Sequence, residues 1–266
     1  DGIVSGAPVF NFTNLHMSQL WTAHAHLKTP GAKLGPDQFN LLMSKALEQC
    51  EVNDGVKDGF LNDPTACAFN PEVLQCNGDN AGACLSAPQV EAAKLVYAGA
   101  LNPRTGVPFY PGLEPGSEGS QPANPGWAMI MGDGPFQIDR AVLGGMGFED
   151  FVNWDFLSFD FDHHRDQINA KLGGVLNAVD PDLRDFEASG NKLLMYHGWN
   201  DPGVMPQMTV DYYEEVIAYR DFARGSSNAR LETADFARLF MMPGMGHCRG
   251  GAGPDQADYM SYLVDW

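Results

Sequence analysis

The sequence predicts an α/β protein built on a parallel sheet, and three observations carry that expectation. Short apolar runs at Gly2-Ile3-Val4-Ser5, Lys192-Leu193-Leu194-Met195-Tyr196 and Arg238-Leu239-Phe240-Met241-Met242 each end in glycine, proline or a polar turn, as parallel strands covered on both faces do. Between the last two, Met208, Tyr212, Val216 and Tyr219 recur at helical spacing, so Met208 to Ala223 reads as a helix. After Pro254, the residues Tyr259, Tyr262, Leu263 and Trp266 mark a further helical stretch. The chain therefore ends in a β-α-β-α run, for which right-handed crossovers are expected.

The middle of the chain is different. Residues 31–185 are rich in Gly, Pro, Asn and Asp and show scattered helical pieces at Pro36 to Gln49 and Ala87 to Ala98. They read as a large insertion between strands of the sheet, and insertions of that size often cover active sites. The expected organisation is a core segment over 1–30, an inserted lid over 31–185 and a second core segment over 186–266.

Five cysteines stand at 50, 67, 76, 84 and 248. The first four fall close together in the insertion, and neighbouring cysteines close small loops, which pairs Cys50 with Cys67 and Cys76 with Cys84. A zinc site is the alternative, but no CxxC and no clustered histidine accompany them. Cys248 is left over, as a free thiol or as half of a bridge to something outside this sequence. Two such bridges imply an oxidising compartment, so the protein is expected to be secreted, extracellular or periplasmic. The start Asp1-Gly2-Ile3-Val4-Ser5 has neither the basic residues nor the apolar stretch of an export signal.

Sixteen basic against 34 acidic residues give a net charge of −18 over 266 residues, of which 44% are hydrophobic. That charge repels phosphate backbones and anionic lipid heads, so neither nucleic acid nor a membrane is expected as a partner. No run approaches the roughly 20 apolar residues of a bilayer span.

Two constellations could carry chemistry. Tyr196-His197-Gly198-Trp199-Asn200-Asp201-Pro202 places an acid just past one strand, and Pro243-Gly244-Met245-Gly246-His247-Cys248 places a histidine just past the next. In open α/β sheets, function gathers outside the carboxyl ends of strands. An acid and then a histidine on successive loops is the order of the last two triad members in an α/β-hydrolase. Asp201 would orient the imidazole and His247 would act as general base, with His197 competing for that role. His163 and His164 read as insertion surface, and His16, His24 and His26 show no acid partner. No GxSxG elbow occurs, and Ser5, Ser117 and Ser120 lack its strand-turn-helix setting. A further stretch, Cys50-Glu51-Val52-Asn53-Asp54-Gly55-Val56-Lys57-Asp58-Gly59-Phe60, has closely spaced acids and glycines that could wrap a calcium ion without matching an EF-hand.

Together these segments resemble the tannase/feruloyl esterase family of secreted serine esterases, whose marker is a Cys-Ser pair, an Asp and a His-Cys pair. The acid loop at 196–202, the His-Cys loop at 243–248, Trp154-Asp155 through Phe159-Asp160-Phe161-Asp162, and Asn177-Ala178-Val179-Asp180-Pro181-Asp182-Leu183 carry the resemblance. It implies an α/β-hydrolase fold with a large inserted lid and hydrolysis of aromatic esters such as phenolic acid or gallate esters. It also implies a nucleophile on a Cys-Ser segment before Asp1, or on a second polypeptide, whose cysteine pairs with Cys248. The acidic loop is similar to the family's structural calcium site, with Glu51, Asp54 and Asp58 side chains and Val56 and Phe60 carbonyls as ligands and Glu51 where an aspartate is usual. Trp127, Phe109 and Tyr110 are candidates to line the acyl pocket. The rival readings are a non-catalytic calcium-stabilised binding module and a pseudo-enzyme lacking the nucleophile.

Overall fold

The three apolar runs become three parallel strands. β1 (Gly2–Gly6), β4 (Lys192–Gly198) and β5 (Ala237–Met242) form one sheet in the order β1-β4-β5, with Ile3 beside Leu193 and Tyr196 beside Phe240. The computed structural model describes residues 1–77, 84–225 and 228–266, leaving out the side chains of Asp54 and Arg224. Of the three strands β4 is central and carries most of the buried positions, whereas Ile3 on β1 and Phe240 on β5 are about half exposed, at 49% and 47%. Burial on both faces was expected for all three. Among the described residues β1 and β5 are the edges, so each has a strand on one side only.

Helix Gln207–Arg224 connects β4 to β5 together with the short helix Ala229–Ala234, and extends one residue beyond the expected Met208 to Ala223 at each end. It ends on Gly225, whose left-handed φ of 62° is the usual C-terminal stop. The tail helix Tyr259–Asp265 lies against the sheet, with Tyr259 stacked on Tyr196 at 3.9 Å and Arg238 3.8 Å from the Trp266 ring.

Residues between β1 and β4 contain helices and one two-stranded ribbon, β2 (Ala100–Leu101) against β3 (Pro108–Tyr110). α2 (Pro36–Cys50) and α3 (Ala87–Ala98) start on prolines at the first turn, where the missing N–H costs nothing. Both coincide with the expected segments to within a residue. Ser86 and Gln89 form a reciprocal capping box on α3.

α1 (Phe12–Leu27) was not expected. Thirteen of its 16 residues are buried, including Thr13, Asn14, His16, Ser18, Gln19, Thr22, His24 and His26, so it has no apolar stripe for a periodicity to detect. Several of its polar residues are held by tertiary partners: Thr13 Oγ1 lies 2.6 Å from Asn169 Oδ1, and His24 Nε2 2.6 Å from the Phe156 carbonyl. The hydrophobic core runs continuously from α1 through α2, α3 and Trp127 to Val204 and Met205, so the insertion and the acid loop share packing.

Both local disulfides are formed, Cys50 with Cys67 and Cys76 with Cys84, and Cys248 is free. No helix among the described residues is long and apolar enough to cross a membrane.

Candidate active site

Parallel pairing sets the site. Because β4 and β5 run side by side with Gly198 beside Met242, the loops after them leave the sheet at the same end. Trp199 N donates to Met242 O at 3.0 Å and Asn200 N to Met245 O at 2.9 Å, joining the acid loop to the histidine loop through their backbones. Gly198 permits this approach, since a Cβ there would run into the Met245 and Gly246 carbonyls. Gly198→Ala should therefore push the loops apart, lowering the melting temperature by several degrees, and a melt equal to wild type would show that the loops absorb the methyl.

Asp201 and His247 are brought together. His247 Nδ1 lies 2.7 Å from Asp201 Oδ2, although the residues are 46 apart in sequence. The carboxylate is fully buried, and its other oxygen accepts from Gly203 N at 2.8 Å and Val204 N at 2.9 Å. Burial alone would raise this carboxyl, but hydrogen bonds from His197 and His247 outweigh it and hold it at about 2. The same hydrogen bond raises His247 above the ordinary imidazole value, against a smaller opposing effect of burial. The His247 side chain is 43% exposed, and its Nε2 has no hydrogen-bond partner among the described residues. The ring is thus anchored at one nitrogen and open at the other, the arrangement a general base requires.

His197 does not share that freedom. It is completely buried, with Nδ1 2.7 Å from Thr209 Oγ1 and Nε2 3.1 Å from both Asp201 Oδ2 and the Val204 carbonyl. Two acceptors facing Nε2 place a proton there, so Nδ1 accepts from the threonine hydroxyl. His197 therefore braces Asp201 and has no nitrogen left for a substrate. Cys248, next to His247, adopts a left-handed φ of 60°. Burial and the Asp201 charge raise its thiol.

A strap of the insertion, residues 116–126, braces both loops. Asn200 Nδ2 donates to Gly116 O at 2.7 Å and Gln121 Oε1 at 3.1 Å, Asn124 Nδ2 donates to Asn200 O at 3.0 Å, and Gly251 N donates to Pro122 O at 2.8 Å. The strap turns on Glu118, which is fully buried, accepts from Gly116 N at 2.8 Å, and lies 2.5 Å from the Tyr97 hydroxyl. Burial pushes its carboxyl up to about 7, past the lowering by its hydrogen bonds. A carboxyl that holds its proton longer folded than unfolded loses stability as pH rises between its unfolded value and about 7. Glu118→Gln mimics the protonated form, so its melting temperature should vary less than wild type across that window. Parallel pH profiles for the two proteins would refute this.

The expected pocket residues need correction. Trp127 is 0% and Tyr110 2% exposed, so neither offers a face to a ligand. Trp127 is core, packed edge-on to Tyr97 and Phe39 with Nε1 3.0 Å from Ser117 Oγ. Phe109 is partly buried, its ring stacked with Phe161 and covered by the Arg165 guanidinium at 4.7 Å. His16 does have an acid partner, Asp139, at 2.8 Å. His163 is exposed as expected, whereas the His164 ring packs on Phe148 and Phe159.

In the acidic loop, Gly55 and Gly59 take left-handed φ values of 85° and 90°, and Glu51 Oε1 reaches back to Gly59 N at 2.5 Å. The Cys50–Cys67 bridge closes the base. Asp58 is exposed, and the Asp54 side chain lies outside the described residues. No three acid, histidine or cysteine side chains gather as a metal site among the described residues.

The family model described as "Tannase and feruloyl esterase" matches residues 1–266. An uncharacterized esterase of Xanthomonas campestris pv. campestris is 35% identical over 95% of this chain and 46% of its own. The mono(2-hydroxyethyl) terephthalate hydrolase of Piscinibacter sakaiensis is 31% identical over 100% of this chain and 51% of its own. The crystal structure of feruloyl esterase B from Aspergillus oryzae superposes with a TM-score of 0.85 at 26% identity, covering 100% of this chain and 54% of that one. The chain spans about half the length of the curated relatives it matches.

Proposed function

The chain belongs to the tannase and feruloyl esterase family and has the α/β-hydrolase fold, and from that premise we propose that it carries the acid and base of a serine carboxylesterase acting on aromatic esters. The observation that carries the reading is the 2.7 Å pair of buried Asp201 and half-exposed His247, with Nε2 open. His247 takes the proton of an attacking hydroxyl and returns it to the leaving alcohol. Asp201 fixes its tautomer and stabilises the imidazolium. No described serine hydroxyl is hydrogen-bonded to His247, and we place the nucleophile on a Cys-Ser segment outside this chain, in the same protein or a second polypeptide, with its cysteine bridged to Cys248. The substrates in view are small phenolic acid, gallate or related aromatic esters, as the names of the relatives suggest. The two disulfides support a secreted, extracellular or periplasmic, location.

Labelling the full-length protein with a fluorophosphonate and mapping the adduct tests this. A label on a serine beside a cysteine, outside these 266 residues, is expected, while a stoichiometric label on any serine of this chain would sink the assignment. The pH profile gives a second reading. A base must be neutral to act, and the Asp201 hydrogen bond raises His247, so kcat/KM should fall on the acid side with a midpoint above the ordinary imidazole value.

The Cys50–Phe60 loop is the proposed calcium site, with Glu51, Asp54 and Asp58 carboxylates and Val56 and Phe60 carbonyls as oxygen donors of the kind calcium prefers. The inward turn of Glu51 and the bridge closing the loop support it. A chelator should lower the melting temperature, and an unchanged melt would count against a structural ion.

A further inference from the structure

A second set of buried polar side chains reaches the acid loop at Gly203. Gln19 and His16 on α1 and Asp139 in the insertion are 3%, 3% and 0% exposed. Gln19 Nε2 donates to the Gly203 carbonyl at 2.7 Å. A carbonyl only accepts, so this contact fixes the amide's orientation and turns Oε1 toward His16 Nδ1 at 3.1 Å. Nδ1 therefore carries a proton, which also faces Asp139 Oδ1 at 2.8 Å. The three residues form a connected chain of hydrogen bonds, with the His16 Nδ1–H shared between Asp139 and Gln19, that links the insertion through α1 to the loop that holds Asp201.

The peptide unit at the end of that chain is the decisive one. The Gly203 carbonyl and the Val204 N–H belong to one rigid plane. Gln19 holds its oxygen, and its N–H donates to Asp201 Oδ1 at 2.9 Å. If Gln19 releases the oxygen, the plane can rotate and its N–H turns away from the carboxylate. His197 also depends on this loop through the Val204 carbonyl. The cost of maintaining the chain is visible in two buried atoms, His16 Nε2 and Asp139 Oδ2, that have no hydrogen-bond partner among the described residues. Such atoms are uncommon in native cores and call for a reason.

We propose that Asp139, His16 and Gln19 are a positioning relay, through which the insertion sets the orientation of the 203–204 peptide and so the Asp201 carboxylate. This rests on the esterase reading and deepens it, because the insertion then governs the placement of the triad acid. The relay touches no substrate. Its effect appears in the strength of the Asp201–His247 hydrogen bond.

The test uses the full-length protein, with nitrogen-15 titration of the His247 ring and turnover of methyl ferulate as separate readouts. Gln19→Leu keeps the volume and removes the donor. It should lower the His247 pKa by about half a unit, since the bond that raises it is loosened. It should also reduce kcat by about tenfold with KM within about twofold, an orientation effect on the chemical step. His16→Asn keeps a donor near Nδ1, and Asp139→Asn keeps the Oδ1 acceptor, so both should recover most of the wild-type titration, whereas His16→Leu should behave like Gln19→Leu. A folded Gln19→Leu protein with an unchanged His247 titration would overturn the relay. If that variant does not fold, the contrast between His16→Asn and His16→Leu decides, and equal titrations for those two overturn it as well. Absence of ester turnover in the wild-type protein would defeat the esterase reading, while the His247 titration still reads the relay.

Discussion

Asp201→Asn in the full-length protein is expected to reduce kcat on an aromatic ester by about 10⁴-fold, the loss seen when a triad acid becomes an amide. Asp201 Oδ2 faces two ring nitrogens, His247 Nδ1 at 2.7 Å and His197 Nε2 at 3.1 Å. Its Oδ1 faces the N–H groups of Gly203 and Val204. An asparagine has one acceptor oxygen, and the loop amides claim it, so its NH₂ must point at the two imidazoles. His197 already needs its Nε2 proton for the Val204 carbonyl. The imidazole that yields is the half-exposed one: His247 shifts its proton to Nε2, and the nitrogen that should accept from the nucleophile becomes a donor. His247→Ala should be more severe still, by a factor on the order of 10⁶, because no other group in reach can take the proton. Substrate binding should change little in either variant. The measurement is kcat and KM on methyl ferulate, and turnover within about tenfold of wild type for either variant would remove Asp201 and His247 from the mechanism.

Both residues were legible in the sequence because each follows a short apolar strand by a few positions, and parallel pairing carries that regularity into space. β4 starts where its apolar run does and β5 one residue before, and the two loops leave one end of the sheet. The fixings around Asp201 were not legible. Gln19 meets Gly203 across 184 residues and His16 meets Asp139 across 123, and neither pair leaves a local pattern. α1 was hidden for a related reason: a helix buried on every side mixes His, Asn, Gln, Ser and Thr with Leu and Met, which reads as irregular. Asp139 directly precedes a π-helix, Arg140–Gly147, a geometry that periodicity at 3.6 residues does not describe. The strap of residues 116–126 is a loop that braces through the Gly116 and Pro122 carbonyls as well as the Gln121 and Asn124 side chains, and contacts of that kind leave no local pattern in the sequence.

The misplacement of Trp127 follows from the same limit and leads to the other large effect. An aromatic residue in a lid can face a ligand or the core, and only packing distinguishes them. Here the indole has no exposed area, its Nε1 lies 3.0 Å from Ser117 Oγ, and its ring meets Tyr97 at 5.1 Å and Phe39 at 5.9 Å. Its backbone also accepts from Ile130 and donates to Glu118 O, tying it into the strap. Trp127→Ala would leave a cavity that these rings can only partly fill, and the usual cost of such a truncation is about 3–5 kcal/mol. For a protein that is only marginally stable, that is a large share of the total. Trp127→Phe keeps most of the ring volume and should cost clearly less. Denaturant unfolding of the full-length protein measures both. A pocket wall would behave in the opposite way: truncation would raise KM and leave the unfolding midpoint near wild type. That result would return Trp127 to the binding site, whereas a midpoint shift with KM preserved in the surviving folded fraction assigns it to the core that holds the strap against Asn200.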